Sequence, residues 1–176
     1  MSSQYSLPPF LVIPDSAEPI YINIFHIACS YNASAKLIKN QFDNTNNAAF
    51  LFPSIVCQSF AIELFLKFFI FFDADKNKSI SQLPKNLGHD FSKLWNRIPS
   101  EYQKLISTHY SNAPKPVSIT GEFEDSLSII GNNSFVKWRY AHEIQSFDFM
   151  NLDHTALVSD VLFSAANFGL MKSKVE

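Results

Sequence analysis

Apolar residues recur every three to four positions along most of the chain, and glycine and proline interrupt this pattern only at wide intervals. Such spacing is typical of amphipathic helices, and strands are not indicated. The first helix is predicted over residues 18–40, because Glu18 and Pro19 form a favourable start and an asparagine-rich stretch follows at residues 40–47. The pattern therefore predicts an all-α fold.

The most apolar segment lies at residues 48–72 and is hydrophobic almost all round. A helix of this kind is buried on several sides, so it is predicted to form the core of a bundle. Pro53 marks either a kink or the first turn of this helix. Glu63 and Lys67 would be costly at the centre of a bilayer, so we expect no membrane-spanning segment. Residues 73–87 are polar and are predicted to form a surface loop.

The same periodicity predicts further helices at about 90–97, 100–110, 121–130, 135–147 and 152–173. No internal repeat and no low-complexity linker separates them. One all-helical domain over residues 18–174, preceded by an N-terminal extension at residues 1–17, is the simplest organisation of the chain.

The composition is that of a folded protein, since 47% of the 176 residues are hydrophobic and 17% are charged. The net charge is −2, and Arg97 and Arg139 are the only arginines, which excludes a broad arginine clamp for phosphates. Cys29 and Cys57 lie in different apolar segments and are predicted to be buried free thiols in a reducing compartment. We therefore expect a cytoplasmic protein.

Phenylalanine is unusually abundant, with 18 residues in the chain. Those in the second half of the predicted central helix point in many directions around it: Phe60, Phe65, Phe68, Phe69, Phe71 and Phe72. A single bundle interior is not expected to accommodate them all, so part of this surface is predicted to face a second subunit. We expect a homodimer.

Several well-known chemical motifs are absent from the sequence. Gly88, Gly121, Gly131 and Gly169 are isolated, which excludes a phosphate-binding glycine loop, a dinucleotide fingerprint and a serine nucleophile elbow. The five histidines and two cysteines show no spacing typical of zinc ligands. Accordingly, no metal and no cofactor is predicted.

Some polar residues lie at positions that the helical pattern assigns to the core. These exceptions indicate a candidate site. Arg139 and His142 share one face of the predicted 135–147 helix with Trp138. A buried guanidinium must find an acidic or carbonyl partner, because an unpaired buried charge is strongly destabilising. Glu143, one turn further on, is a candidate partner along the helix.

A second polar stripe lies on the central helix, where Ser59, Glu63 and Lys67 are spaced by four. Glu63 and Lys67 have the preferred order for a stabilising i,i+4 pair. Two interpretations stay open: the stripe is self-neutralising or surfaces beside a loop, or one of its charged residues meets Arg139 or His142 across the bundle and lines a polar pocket.

A third polar element is the segment that begins at Gly88, which permits a tight entry into the next helix. Asp90 lies at the first turn, where it can accept backbone N–H bonds as a cap. His89, at the junction, is either a structural histidine or lies at the mouth of the polar pocket.

Three stretches, SFAIELFLK at 59–67, GHDFSKLW at 88–95 and FVKWRYAHE at 135–143, resemble in content, order and spacing the HEPN-like helical proteins of prokaryotes. The resemblance covers roughly residues 20–170. It implies an up-and-down bundle of four to five main helices with short extra helices, frequently a homodimer in the cytoplasm. Many members are linked to RNA cleavage, to toxin–antitoxin and phage-defence systems, or to nucleotidyltransferase partners.

The chain departs from the ribonuclease members of that family at one point. Their arginine and histidine are separated by four to six residues, whereas only Tyr140 and Ala141 separate Arg139 from His142. If the protein did cleave RNA, the resemblance suggests His142 or His89 as general base and Arg139 as the group that stabilises the phosphate.

The leading hypothesis is therefore a HEPN-like homodimer with a polar site that binds a nucleotide, RNA or a partner protein such as a nucleotidyltransferase or an antitoxin. The alternatives are a metal-independent endoribonuclease and a purely architectural role for the motifs. The candidate catalytic residues are Arg139 and His142, and the candidate binding residues are Glu63, Lys67, His89, Asp90, Trp138, Tyr140 and Glu143.

Overall fold

A computed structural model describes residues 18–131 and 151–173. The α-helices in these ranges are α1 (Ile20–Thr45), α2 (Leu51–Lys76), α3 (Phe91–Trp95), α4 (Ser100–Asn112), α5 (Phe123–Ile130) and α6 (Leu152–Ser173). Short 3₁₀ turns lie at Ala48–Phe50 and Ile80–Gln82. Neither range contains a strand, so the predicted all-α class is confirmed. The helix predicted at 135–147 lies outside the described residues.

The two longest helices, α1 and α2, form an antiparallel hairpin. Near the connection, the Ser54 hydroxyl donates to the Ala35 carbonyl at 3.0 Å. At the other end, the rings of Tyr21 and Phe72 pack edge to face with centroids 5.2 Å apart. Contacts at both ends show that the helices are paired along their whole length.

Helix α6 packs on α2 and runs antiparallel to α1. The Ser159 hydroxyl donates to the Asn32 side-chain oxygen at 2.9 Å, and Lys36 forms an ion pair with Asp160 at 2.6 Å. Helix α4 is in turn antiparallel to α6, with the rings of His109 and Phe168 in contact. The four long helices therefore alternate in direction, as an up-and-down bundle requires.

The first two helices extend further than the sequence pattern predicts. The asparagine-rich stretch does not break α1 at residue 40, because Lys39 and Asp43 form an i,i+4 ion pair at 2.7 Å that supports the next turn. The helix ends instead at Asn46, which adopts a left-handed conformation and donates its backbone N–H to the Phe42 carbonyl. Helix α2 likewise runs past residue 72, because Ala74 is still buried against the core.

One bundle interior holds most of these phenylalanines of α2 but not all of them, since Phe60 and Phe71 stay partly exposed. Phe65, Phe68 and Phe69 are fully buried and Phe72 is 6% exposed within the single chain. Helix α2 occupies the centre of the fold and has neighbours on several sides, including α1, α3 and α6. The homodimer stays a prediction, but these residues do not require it.

Segment Ala48–Lys76 is long and apolar enough to cross a membrane, yet 67% of its most apolar window is buried inside the protein. Such burial is typical of the core helix of a bundle. The two thiols are half-buried and unpaired, and burial raises the pKa of Cys29 to about 12. Cys29 is therefore an unreactive thiol.

Candidate functional site: the Glu63 cluster

A buried carboxylate lies in the middle of the core helix. The Glu63 side chain is 1% exposed and contacts two cationic or potentially cationic groups, Lys67 and His89. We call these three residues the Glu63 cluster. An isolated carboxylate would be costly at this depth, so its burial depends on these partners.

Lys67 lies one turn after Glu63 on α2, and its Nζ donates to Glu63 Oε1 at 2.7 Å. This is the i,i+4 pair that the sequence predicts, and the distance is typical of a charge-assisted hydrogen bond. The Lys67 side chain is 17% exposed, so its stem is packed while its ammonium retains some access to water.

His89 reaches the same carboxylate from the loop before α3. Its Nδ1 lies 2.9 Å from Glu63 Oε1 and 3.0 Å from Oε2, so both carboxylate oxygens are in reach. The histidine side chain is 45% exposed. The ring is therefore held from the inside while part of it faces solvent.

The local sequence explains the position of His89. Gly88 has a φ of +77°, a left-handed conformation that favours glycine, and its N–H donates to the Asn86 side-chain oxygen at 2.8 Å. Asp90 is the N-cap of α3, as predicted, and its carboxylate accepts the Lys93 backbone N–H at 3.0 Å. The turn before His89 and the cap after it together direct the imidazole towards α2.

The electrostatics of the cluster determine what the imidazole can do. An ionised Glu63 can only accept hydrogen bonds, so Nδ1 of His89 carries a proton and the lone pair of the neutral ring lies on Nε2. A carboxylate that fixes the tautomer of a histidine also stabilises the protonated ring when it forms. The arrangement suits proton transfer or donation of a hydrogen bond to an anion.

The structure thus brings together three of the predicted site residues, Glu63, Lys67 and His89, and places Asp90 beside them as a cap. Arg139, His142, Trp138, Tyr140 and Glu143 lie outside the described residues. The stripe on α2 is self-neutralising through its ion pair, and His89 contacts it from the loop before α3. The predicted contact with Arg139 or His142 lies outside the described residues.

A second polar network was not predicted from the sequence. Ser126 on α5 is fully buried, and its hydroxyl lies 2.6 Å from the Tyr110 hydroxyl and 2.9 Å from Nδ1 of His154. Burial lowers the pKa of His154, an effect that the charge of Asp153 partly opposes. The feature of the sequence that could have indicated this network is the position of Ser126 on the apolar face of a strongly amphipathic helix.

Within residues 18–131 and 151–173, no group of three or more His, Cys, Asp or Glu side chains is arranged to hold a metal ion. The cavities of about 540 and 490 Å³ in the same ranges are not lined by Glu63 or His89. His89 is the member of the Glu63 cluster that solvent reaches most readily, since its side chain is 45% exposed. No family model, curated protein or solved structure matches the chain.

Proposed function

We propose that the protein is a HEPN-like helical protein of the cytoplasm that binds a phosphate-bearing ligand, a nucleotide or RNA, at the Glu63 cluster. One observation carries the proposal: a fully buried carboxylate holds a half-exposed imidazole and a lysine at one place on the surface. Arg139 and His142, which the resemblance assigns to the same site, would add the positive charge that a phosphate needs.

Several features support ligand binding over a purely architectural role. Lys67 supplies the counter-charge of Glu63 along α2, so His89 adds a hydrogen bond to the carboxylate and not its neutralisation. His89 instead lies on a loop and is exposed for 45% of its side chain. Exposed polar groups that a rigid scaffold holds in place are typical of binding and catalytic sites.

The binding proposal is tested by fluorescence anisotropy with a labelled single-stranded RNA and a labelled ATP analogue. His89→Asn should weaken binding of the probe about tenfold, which corresponds to ~1.4 kcal/mol. His109→Asn is the matched control, because His109 is a half-buried histidine that lines the cavity of about 490 Å³ instead of the cluster. Equal affinities for the wild type, His89→Asn and Arg139→Ala would contradict the proposal.

A metal-independent endoribonuclease is the second candidate, and the hydrogen bond from His89 Nδ1 to Glu63 favours it. A general base needs a fixed tautomer with its lone pair towards the substrate, and a carboxylate behind the ring provides that. In such a reaction, Nε2 of His89 would take the proton of the ribose 2′-hydroxyl while the 2′-oxygen forms a bond to phosphorus. The P–O5′ bond would break, the 5′-oxygen would take a proton from water, and Arg139 would stabilise the charge that develops on the phosphate.

Cleavage of end-labelled structured and single-stranded RNA in the presence of a chelator separates the two candidates. Cleavage that His89→Ala, Arg139→Ala and His142→Ala each remove would establish the ribonuclease. If the protein binds the RNA but leaves it intact, the site is a binding site and not a catalytic one. Expression of a ribonuclease should also inhibit growth, and His142→Ala should relieve the inhibition.

The partner part of the proposal is a homodimer, with a nucleotidyltransferase or an antitoxin as the class of further partner. Exposed apolar residues on the surface of the described bundle support self-association: Ile20, Leu37, Phe52, Phe163, Phe168 and Met171. Light scattering at micromolar concentration should give twice the mass of the 20.0 kDa chain. A monomeric mass would contradict the homodimer.

A further inference from the structure

A cavity of about 540 Å³ lies at the end of the bundle where the start of α1, the last turns of α2, the first half of α4 and the end of α6 meet. Its volume is in the range of ~300–1,000 Å³ that is typical of small-molecule sites. Phe72 in its wall is two and a half helical turns beyond Glu63, and therefore on the opposite side of α2 and about 14 Å along it. We propose that this cavity binds a small amphipathic anion, an aromatic body that carries one negatively charged group.

The walls of the cavity are aromatic. Phe72 and Tyr102 are 6% and 7% exposed, and their ring centroids are 5.7 Å apart. Tyr21 packs edge to face on Phe72 from α1, with centroids 5.2 Å apart, and Phe168 is half exposed at the mouth. Phe168 is the exposed ring of this lining, so a flat aromatic ligand can pack against it at the mouth of the cavity.

Gly169 keeps part of this space open. It is a buried residue in the interior of α6 and lines the cavity, although glycine is unfavourable at such a position relative to alanine. A Cβ built on it would meet nothing closer than Cε1 of Phe72 at 3.9 Å, which is an ordinary van der Waals contact. Packing therefore does not require glycine at this position, and a larger side chain would fill the cavity.

The rim of the cavity supplies the charge. Lys76, Lys104 and Lys172 come from three different helices, and the carboxylates on the same rim are Asp75 and Glu101, which leaves an excess of one positive charge. In the described part of the chain, Lys76 and Lys104 form no ion pair, since the ion pairs there join other residues. Ammonium groups above an apolar wall complement an aromatic anion, and the small excess of charge suits a single carboxylate or sulfonate.

The probe for this site is 2-naphthoate, titrated into the full chain and followed by NMR chemical shifts. Saturable shifts are expected at residues of the cavity. Neutral 2-naphthol lacks the negative charge and acetate lacks the aromatic body, so both should bind more weakly than 2-naphthoate. Lys104→Glu should weaken naphthoate binding about fivefold, since an exposed attraction becomes a repulsion. Lys85→Glu is the matched control: an exposed loop lysine with the same change of charge, outside the cavity.

A second variant tests the space directly. Gly169→Leu should abolish naphthoate binding while the far-ultraviolet circular dichroism spectrum stays that of a folded helical protein. If Gly169→Leu fails to fold, the comparison of naphthoate affinity between Lys104→Glu and Lys85→Glu is the test of the cavity site. The inference is overturned if naphthoate does not saturate, if the two lysine variants lose affinity equally, or if His89→Asn rather than Lys104→Glu removes binding. The last outcome would place the anion at the Glu63 cluster. The proposed cavity site does not depend on that cluster.

Discussion

Replacing Glu63 by glutamine removes the charge of the cluster while it keeps the size and shape of the side chain. Lys67 then loses its anionic partner, and the His89 ring loses a charged acceptor. A hydrogen bond to a charged group contributes about 1.5–3 kcal/mol, and breaking a fully buried ion pair costs about 3–5 kcal/mol. Lys67 and His89 are 17% and 45% exposed, so both can turn towards water. We therefore expect the free energy of unfolding to fall by about 2–3 kcal/mol.

Urea unfolding followed by circular dichroism measures this loss. The midpoint should fall by about 1 M urea with an unchanged slope, because the surface exposed on unfolding stays the same. Glu101→Gln is the matched control, since Glu101 is an exposed helical glutamate and its change should stay within about 0.5 kcal/mol. A loss of less than about 0.5 kcal/mol for Glu63→Gln would show that this carboxylate does not hold the cluster together.

The pair itself can be isolated by a double-mutant cycle with Glu63→Leu and Lys67→Met. Glu63→Leu leaves Lys67 without its anionic partner, and Lys67→Met leaves Glu63 with His89 as its contact. The double change replaces both charges by apolar groups of similar volume. The double variant should therefore be more stable than the sum of the single losses predicts, by about 1–3 kcal/mol. Strict additivity would show that the 2.7 Å contact between Nζ and Oε1 contributes nothing.

Other perturbations give equally specific expectations. Asp90→Ala removes the cap of α3 and should lower the unfolding free energy by about 1 kcal/mol in urea, with weaker ligand binding because His89 loses its fixed position. Gly121 has a φ of +90°, and a Cβ there would lie 2.6 Å from Asp125 Oδ2, so Gly121→Ala should cost about 1–3 kcal/mol; an unchanged thermal midpoint would contradict this. Burial lowers the pKa of His154 in the folded state, so the unfolded chain binds the proton more readily, and the stability present above the ordinary pKa of 6.5 is lost as the pH falls below it. His154→Gln should flatten this dependence in urea unfolding between pH 7.5 and pH 5.5.

The helical fold was predictable because each long helix carries its own periodic signal. The residues at which α1 and α2 end were not predictable. They depend on local interactions that oppose the helix-breaking tendency of the composition. Asn40 and Asn44 suggest a break, but the Lys39–Asp43 pair carries the helix through them, and the left-handed Asn46 ends it. A pattern of residue types does not show which of these competing effects prevails.

The candidate site was predictable in part for a similar reason. The Glu63–Lys67 pair and the Asp90 cap follow from spacing within one helix or one turn, which the sequence displays directly. The contact from His89 to Glu63 joins residues 26 positions apart, and it depends on how the loop before α3 returns to α2. The network around Ser126 also joins three elements, so it was not predicted from the sequence.

The most direct test of the proposed site is a nitrogen-15 spectrum of the histidine side chains, recorded at alkaline pH for the free protein and at neutral pH with and without single-stranded RNA. We expect His89 to carry its proton on Nδ1, because Glu63 accepts it, and we expect RNA to shift the Nε2 resonance of His89 more than that of His109. A proton on Nε2 in the free protein, or RNA binding that leaves the His89 resonances unmoved, would contradict the account.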